Sequence, residues 1–217
     1  MVTLLATMLR SHATLFLLGL SYVLASPALH AEPTPERPRT EPRRYWVGTS
    51  LFMLANLVPM DHPPFFFQLN AGYRLTARDR ISIEAMTWRY YHPLGIPYGD
   101  SYQSDEHAYP GHVREYGVGP AYQRFLWNGL YTSLSVVPFL RQYHDADGRR
   151  IGNGFQLFMT FRLGYHVRLF DRVFVEPSIA ATYWPVSTNV PPGFAARDRG
   201  WPNYFLWEPG LHVGVEL

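Results

Sequence analysis

Four histidines, His92, His107, His112 and His144, fall in or beside polar stretches that also hold Ser101, Ser104 and Asp105. Residues of these types could form a hydrolytic set, in which a base takes the proton of a serine nucleophile and an acid orients the base. That chemistry needs base and nucleophile within hydrogen-bond reach, and no His-x-Ser pair on an alternating segment enforces it. Histidines among aromatic loop residues commonly pack or hydrogen-bond instead, so no catalytic residue is assigned. Asp145-Ala146-Asp147-Gly148 has the opening spacing of a calcium loop without its later ligands, the closing glutamate among them, and a plain hairpin turn explains it. No metal site and no cofactor is assigned. Gly-rich phosphate loops, HExxH and GxSxG are all absent from the sequence. Arg149-Arg150 and Arg197 with Arg199 could bind phosphate, or be solvated loop charges.

A second set of ionisable residues alternates with large apolar ones: Arg74, Glu84, Glu115, Arg141, Arg162, His166, Arg168, Glu176, Glu208, His212 and Glu216. These read as a structural ion-pair network on one face of a sheet. Centring two hairpins on Asp79 and Asp171 sets Arg74 opposite Glu84 and His166 opposite Glu176.

The elements that must carry them show period-two alternation from Tyr45 to the last residue. Eight strands are expected. The first is Tyr45 to Leu57, with Val47, Leu51, Met53 and Leu57 on its apolar face. The second has Phe65, Phe67, Leu69, Ala71, Tyr73 and Leu75 on that face, and the third runs from Ile81 to Tyr91. The fourth spans Val113 to Phe125, where Pro120 requires a bulge or an unpaired N–H, and the fifth Leu130 to Tyr143. In the sixth, Phe155, Leu157, Met159, Phe161, Leu163, Tyr165 and Val167 alternate with Gln156, Thr160, Arg162, Gly164, His166 and Arg168. Val173 to Val186 and Tyr204 to Leu217 complete the set. Tight connections at Ala77–Arg80, Trp127–Gly129 and Asp171–Arg172 alternate with long ones at Val58–Pro64, Gly95–His112, His144–Gly154 and Ser187–Asn203. Short turns at one end and long loops at the other are the pattern of a membrane barrel with periplasmic turns and external loops.

Composition agrees. The chain has 217 residues, 47% hydrophobic and 16% aromatic, without cysteine. One domain fits that length, and a barrel closes through its own hydrogen bonds without disulfides. The 19 basic residues are all arginine against 17 acidic ones, and no basic stripe suggests nucleic acid. Arg10, the apolar stretch Ala13 to Leu24 and the small residues from Ala25 to Ala31 read as a helical signal peptide over 1–31. The run 32–44, with four prolines, reads as a periplasmic linker, and 45–217 as the barrel. A soluble barrel would also alternate, but here the apolar face is bulky while the other mixes Gly, Ser, Ala and Thr with charges, which suits a narrow lumen.

On these residues the chain resembles the small eight-stranded bacterial outer-membrane β-barrels over Tyr45 to Leu217. The expected fold is all-β: an eight-stranded antiparallel transmembrane β-barrel. The segment Gly210 to Leu217 is similar to the C-terminal strand that barrel-assembly machinery reads, although Leu217 is aliphatic where that signal usually ends in an aromatic residue. The resemblance implies an outer-membrane location, periplasmic termini and contact with outer-membrane lipid and lipopolysaccharide. Two kinds of role follow. One is a filled, non-porin barrel with a structural or surface-interaction function through its loops, its surface partner unspecified. The alternative is a lipid-modifying enzyme acting on lipid A acyl chains, or a small-solute channel.

Overall fold

A computed structural model describes residues 43–96 and 101–217. The signal-peptide segment and nearly all of the proline-rich linker lie outside the described residues. Among the described residues no helix is long and apolar enough to cross a membrane.

The strands are β1 (Tyr45–Ser50), β2 (Phe67–Arg74), β3 (Asp79–Tyr90), β4 (Gly111–Trp127), β5 (Leu130–Asp145), β6 (Arg150–Tyr165), β7 (Val167–Arg168), β8 (Val173–Thr188) and β9 (Tyr204–Glu216), with a short helix α1 (Pro192–Asp198) before β9. They lie in the order β6-β5-β4-β3-β2-β1-β9-β8-β7, and a further pairing of β6 with β8 closes the ring. β7 continues β6 past His166, so eight staves make the wall. Every contact between neighbours is antiparallel, and the seam joins β1 to β9 through Trp46↔Glu216 to Ser50↔His212. Closure leaves no unpaired edge.

Alternation decides which side chains face out. Leu69, Ile81, Ile83, Val118, Leu140 and Leu211 are exposed on the outside, while Asn70, Glu115, Gln123, Ser135 and Thr160 are buried within. Charged residues line the lumen, and large rings share it. Trp46, Phe139 and Phe174 point inward, each seated on a glycine. A Cβ at Gly72 would come within 2.3 Å of the Trp46 indole, and one at Gly214 within 2.3 Å of the Phe174 ring. Glycine is what lets so narrow a barrel hold indole and phenyl groups.

The expected strand Tyr45 to Leu57 ends early. At Ser50 the chain turns into a 3-10 helix, Leu51–Leu57, capped by the Ser50 hydroxyl accepting from the Phe52 N–H at 3.2 Å. Asn56 substitutes for the lost ladder: its amide donates to the Phe66 carbonyl at 2.7 Å and accepts from the Phe66 N–H at 2.8 Å. The expected loop His144–Gly154 is also corrected. β5 and β6 project as a hairpin closed by residues 146–149, where Gly148 adopts φ 78° and the Asp145 carboxylate accepts from the Arg149 N–H. Asn128 and Gly129, with φ of 43° and 91°, form the two-residue turn between β4 and β5. Around Pro120 the β4–β5 pairing lapses after Gly117↔Phe139 and resumes at Ala121↔Ser135 in the same register. The proline is accommodated by an unpaired position, not a bulge.

The β2–β3 hairpin corrects the predicted cross-strand pair. Asn70 stands opposite Glu84, and Arg74 opposite Arg80. Thr76 sets this register: its hydroxyl accepts from the N–H groups of Arg78 and Asp79, each at 3.0 Å, so the turn tightens around Ala77 instead of Asp79.

Candidate functional site

Three layers of polar residues fill the lumen. Nearest the short turns, Glu216 on β9 gathers three guanidinium groups. Its Oε1 accepts from Arg74 at 2.8 Å and Arg80 at 2.5 Å, and its Oε2 from Arg168 at 2.8 Å. Beside it Glu176 accepts from Gln123 at 3.1 Å, lies 2.8 Å from His166 Nδ1 and stands 3.7 Å from Arg80. Arg80 is the hub. It is 1% exposed, and its guanidinium carbon lies 4.8 Å from the Phe125 ring centre, 5.7 Å from Phe174 and 5.9 Å from Trp46. Arginine fits here because its flat cation stacks on rings while its edges bind carboxylates. The sequence places Arg80 at the end of a tight turn. Its even-numbered parity with Ser82 and Glu84 was the signal that it faces inward.

In the middle layer Arg162 on β6 donates to the Ser178 hydroxyl at 3.2 Å. Glu84, Glu208 and His212 stand within its electrostatic reach without a contact ion pair. A Cβ at Gly210 would meet the Arg162 guanidinium at 2.3 Å, so the glycine makes room for this side chain. Two small cavities border this layer, one of about 40 Å³ beside Glu84 and one of about 70 Å³ beside Glu208, each on the scale of a few waters.

Toward the long loops, Arg141 on β5 lies 2.9 Å from Glu115 on β4. Tyr90 at the end of β3 donates to Glu115 at 2.7 Å and accepts from Arg141 at 2.6 Å, which makes a closed triangle. Above it, a pocket of about 360 Å³ opens, with Trp88, Phe158 and Trp184 at its base and Asp198, Arg199, Trp201 and Asn203 at its rim. The rings of Phe158 and Trp184 stack at 5.9 Å. Helix α1 lowers Phe194, 1% exposed, onto Tyr109 and Tyr143. Tyr109 donates to Asp198 at 2.5 Å. Burial raises the Asp198 carboxyl above its ordinary range, and the Tyr109 hydrogen bond and the Arg141 charge pull it part of the way back. Burial, reinforced by the Asp198 charge, lifts the Tyr109 hydroxyl well above the ordinary phenol range, so it remains a donor. Neither Tyr109 nor Asp198 stood out in the sequence, because only the fold brings residues 89 positions apart together.

The histidine and serine candidates do not assemble. His92 and Ser101 are both buried, yet neither side chain has a hydrogen-bond partner among the described residues. Ser104 caps a 3-10 turn by accepting from the Glu106 N–H, His107 packs against Trp201 and His112 stacks on His144. No Ser–His hydrogen bond forms within the described residues. Arg149 lies in the loop with its side chain 80% exposed, 4.0 Å from Asp147.

The fold and its contents define a class: a closed antiparallel barrel with an apolar exterior, a packed ionic lumen and a loop-built mouth. No protein-family model matches the chain, and no curated protein does. A solved structure, that of Neisserial surface protein A, is similar at 12% identity over 80% of this chain and 97% of that one, with a TM-score of 0.46.

Proposed function

We propose that the protein is an integral outer-membrane barrel whose plugged lumen passes no solute and whose long-loop end presents the mouth pocket to a surface partner. The observation that carries this reading is the continuity of the plug, from the Glu216 cluster through Arg162 to the Glu115–Tyr90–Arg141 triangle beneath the mouth. The exterior supports a membrane setting. Half-exposed side chains such as Leu69, Ile83, Val118 and Leu140 would each gain about 1 kcal/mol from leaving water, roughly half the value for burying a whole apolar side chain. From Asp79 to Arg89, the ten steps along β3 rise about 25 Å at ~3.4 Å each and a tilt of roughly 40°, the height of an apolar band. In this setting the short turns and both ends of the barrel domain are periplasmic.

Two measurements test the proposal. Refolded protein in planar bilayers is expected to give no steady channel while its gel band shifts on heating; reproducible open-channel steps would overturn the plug. A cysteine at Gly148, where a side chain meets no other atom within 4 Å, is expected to react with a membrane-impermeant maleimide on intact cells. Labelling only after lysis would reverse the orientation.

A further inference from the structure

We propose that Arg89 and Arg114, on the outside of the barrel at its long-loop end, form a binding site for the phosphate of an outer-leaflet lipid. This site rests on the membrane reading above. The two arginines stand directly opposite each other on β3 and β4. Like charges directly opposed on a sheet repel, and among the described residues neither arginine has a carboxylate within ion-pair distance. The Nε of each is shielded from solvent and has no hydrogen-bond partner among the described residues. Arg89 has a single 3.5 Å contact, to the Pro63 carbonyl.

The other rim of the same two strands differs. There Asp79 stands opposite Arg124, pairs with it at 2.9 Å and accepts from Tyr122 at 2.6 Å. The rim near the short turns is neutralised from within, and the rim near the long loops is not. Aromatic rings hold the unpaired arginines in place: the Arg89 guanidinium carbon lies 3.9 Å from the Phe65 ring centre, and that of Arg114 5.4 Å from Tyr116. Stacking occupies guanidinium faces and leaves N–H edges for an acceptor. Cross-strand neighbours lie about 5 Å apart, so one phosphate can accept from both. His112 and His144, stacked at 4.5 Å in the next row outward, add donors on the same face. A lipid supplies what this place requires, because its phosphate sits at the interface while its chains lie against Ile83, Val118 and their neighbours.

The test reconstitutes the full-length barrel domain in phosphatidylcholine vesicles containing either bisphosphorylated or dephosphorylated lipid A and counts retained lipid by native mass spectrometry. The wild type is expected to retain the phosphorylated form at least about tenfold better, the order expected of one charge-assisted contact. R89Q/R114Q is expected to lose that preference, R89K/R114K to keep part of it, and R149Q to behave as wild type. A heat-shifted band certifies that each variant is folded. Wild-type protein that floats with the vesicles without a preference overturns this site alone, as does a preference that survives in folded R89Q/R114Q. Protein that does not float overturns the membrane reading and this site together.

Discussion

Replacing Glu216 by glutamine is expected to lower the unfolding free energy by about 3–5 kcal/mol, the range for removing one member of a buried ion pair. Glu216 is 3% exposed and holds three arginines, of which Arg80 is 1% exposed. Without its charge, Arg80 is left with Glu176 at 3.7 Å, already shared with His166 and Gln123. The arginines themselves are unequal. Arg168, with its side chain 55% exposed, recovers most of its hydration when unpaired, so Arg168→Gln should change stability by less than about 1 kcal/mol. Arg80→Gln should approach the Glu216 effect. Urea unfolding in detergent, followed by tryptophan fluorescence, measures each variant. A Glu216→Gln midpoint indistinguishable from wild type would show that the cluster is not the keystone of the lower lumen.

The second large effect concerns the triangle beneath the mouth. Arg141→Met strands Glu115, 1% exposed, without its counter-charge and is expected to cost about 3–5 kcal/mol. Adding Glu115→Met should recover much of that loss, because an apolar pair needs no compensation. Recovery stays incomplete while the Tyr90 hydroxyl, which bonds both partners, is orphaned at about 1–3 kcal/mol. The triple variant with Tyr90→Phe should therefore lie closest to wild type. The same urea titration across the single, double and triple variants reads this order, and additive losses would show that the three residues act separately.

Both predictions rest on side chains whose facing, but not whose pairing, is legible in the sequence. Parity placed Glu216, Glu115 and Arg141 on one face but not with whom they pair. A turn centred on Asp79 sets Arg74 opposite Glu84, whereas the turn centred on Ala77 sets it opposite Arg80. The hydrogen bonds of one threonine hydroxyl decided this, and no hydrophobic pattern encodes them. The strand expected through Leu57 failed for a related reason. Leu51, Met53 and Leu57 satisfy a strand, but the Ser50 cap and the reach of Asn56 to Phe66 make a 3-10 helix the better-bonded path.

The sequence by itself determined the all-β wall of eight staves, the alternation of its faces and, to within two residues, three of its tight turns. Those properties follow from period-two alternation and local turn chemistry, which a chain carries within a few residues. Only the tertiary structure decided that Arg80 is the hub of the lower lumen, that Tyr90 bridges Glu115 and Arg141, that α1 closes over Tyr109, and that Arg89 and Arg114 face each other without an acid among the described residues. Each depends on register or on contacts across the barrel, and a shift of two residues along one strand would change every partner while leaving the alternation untouched.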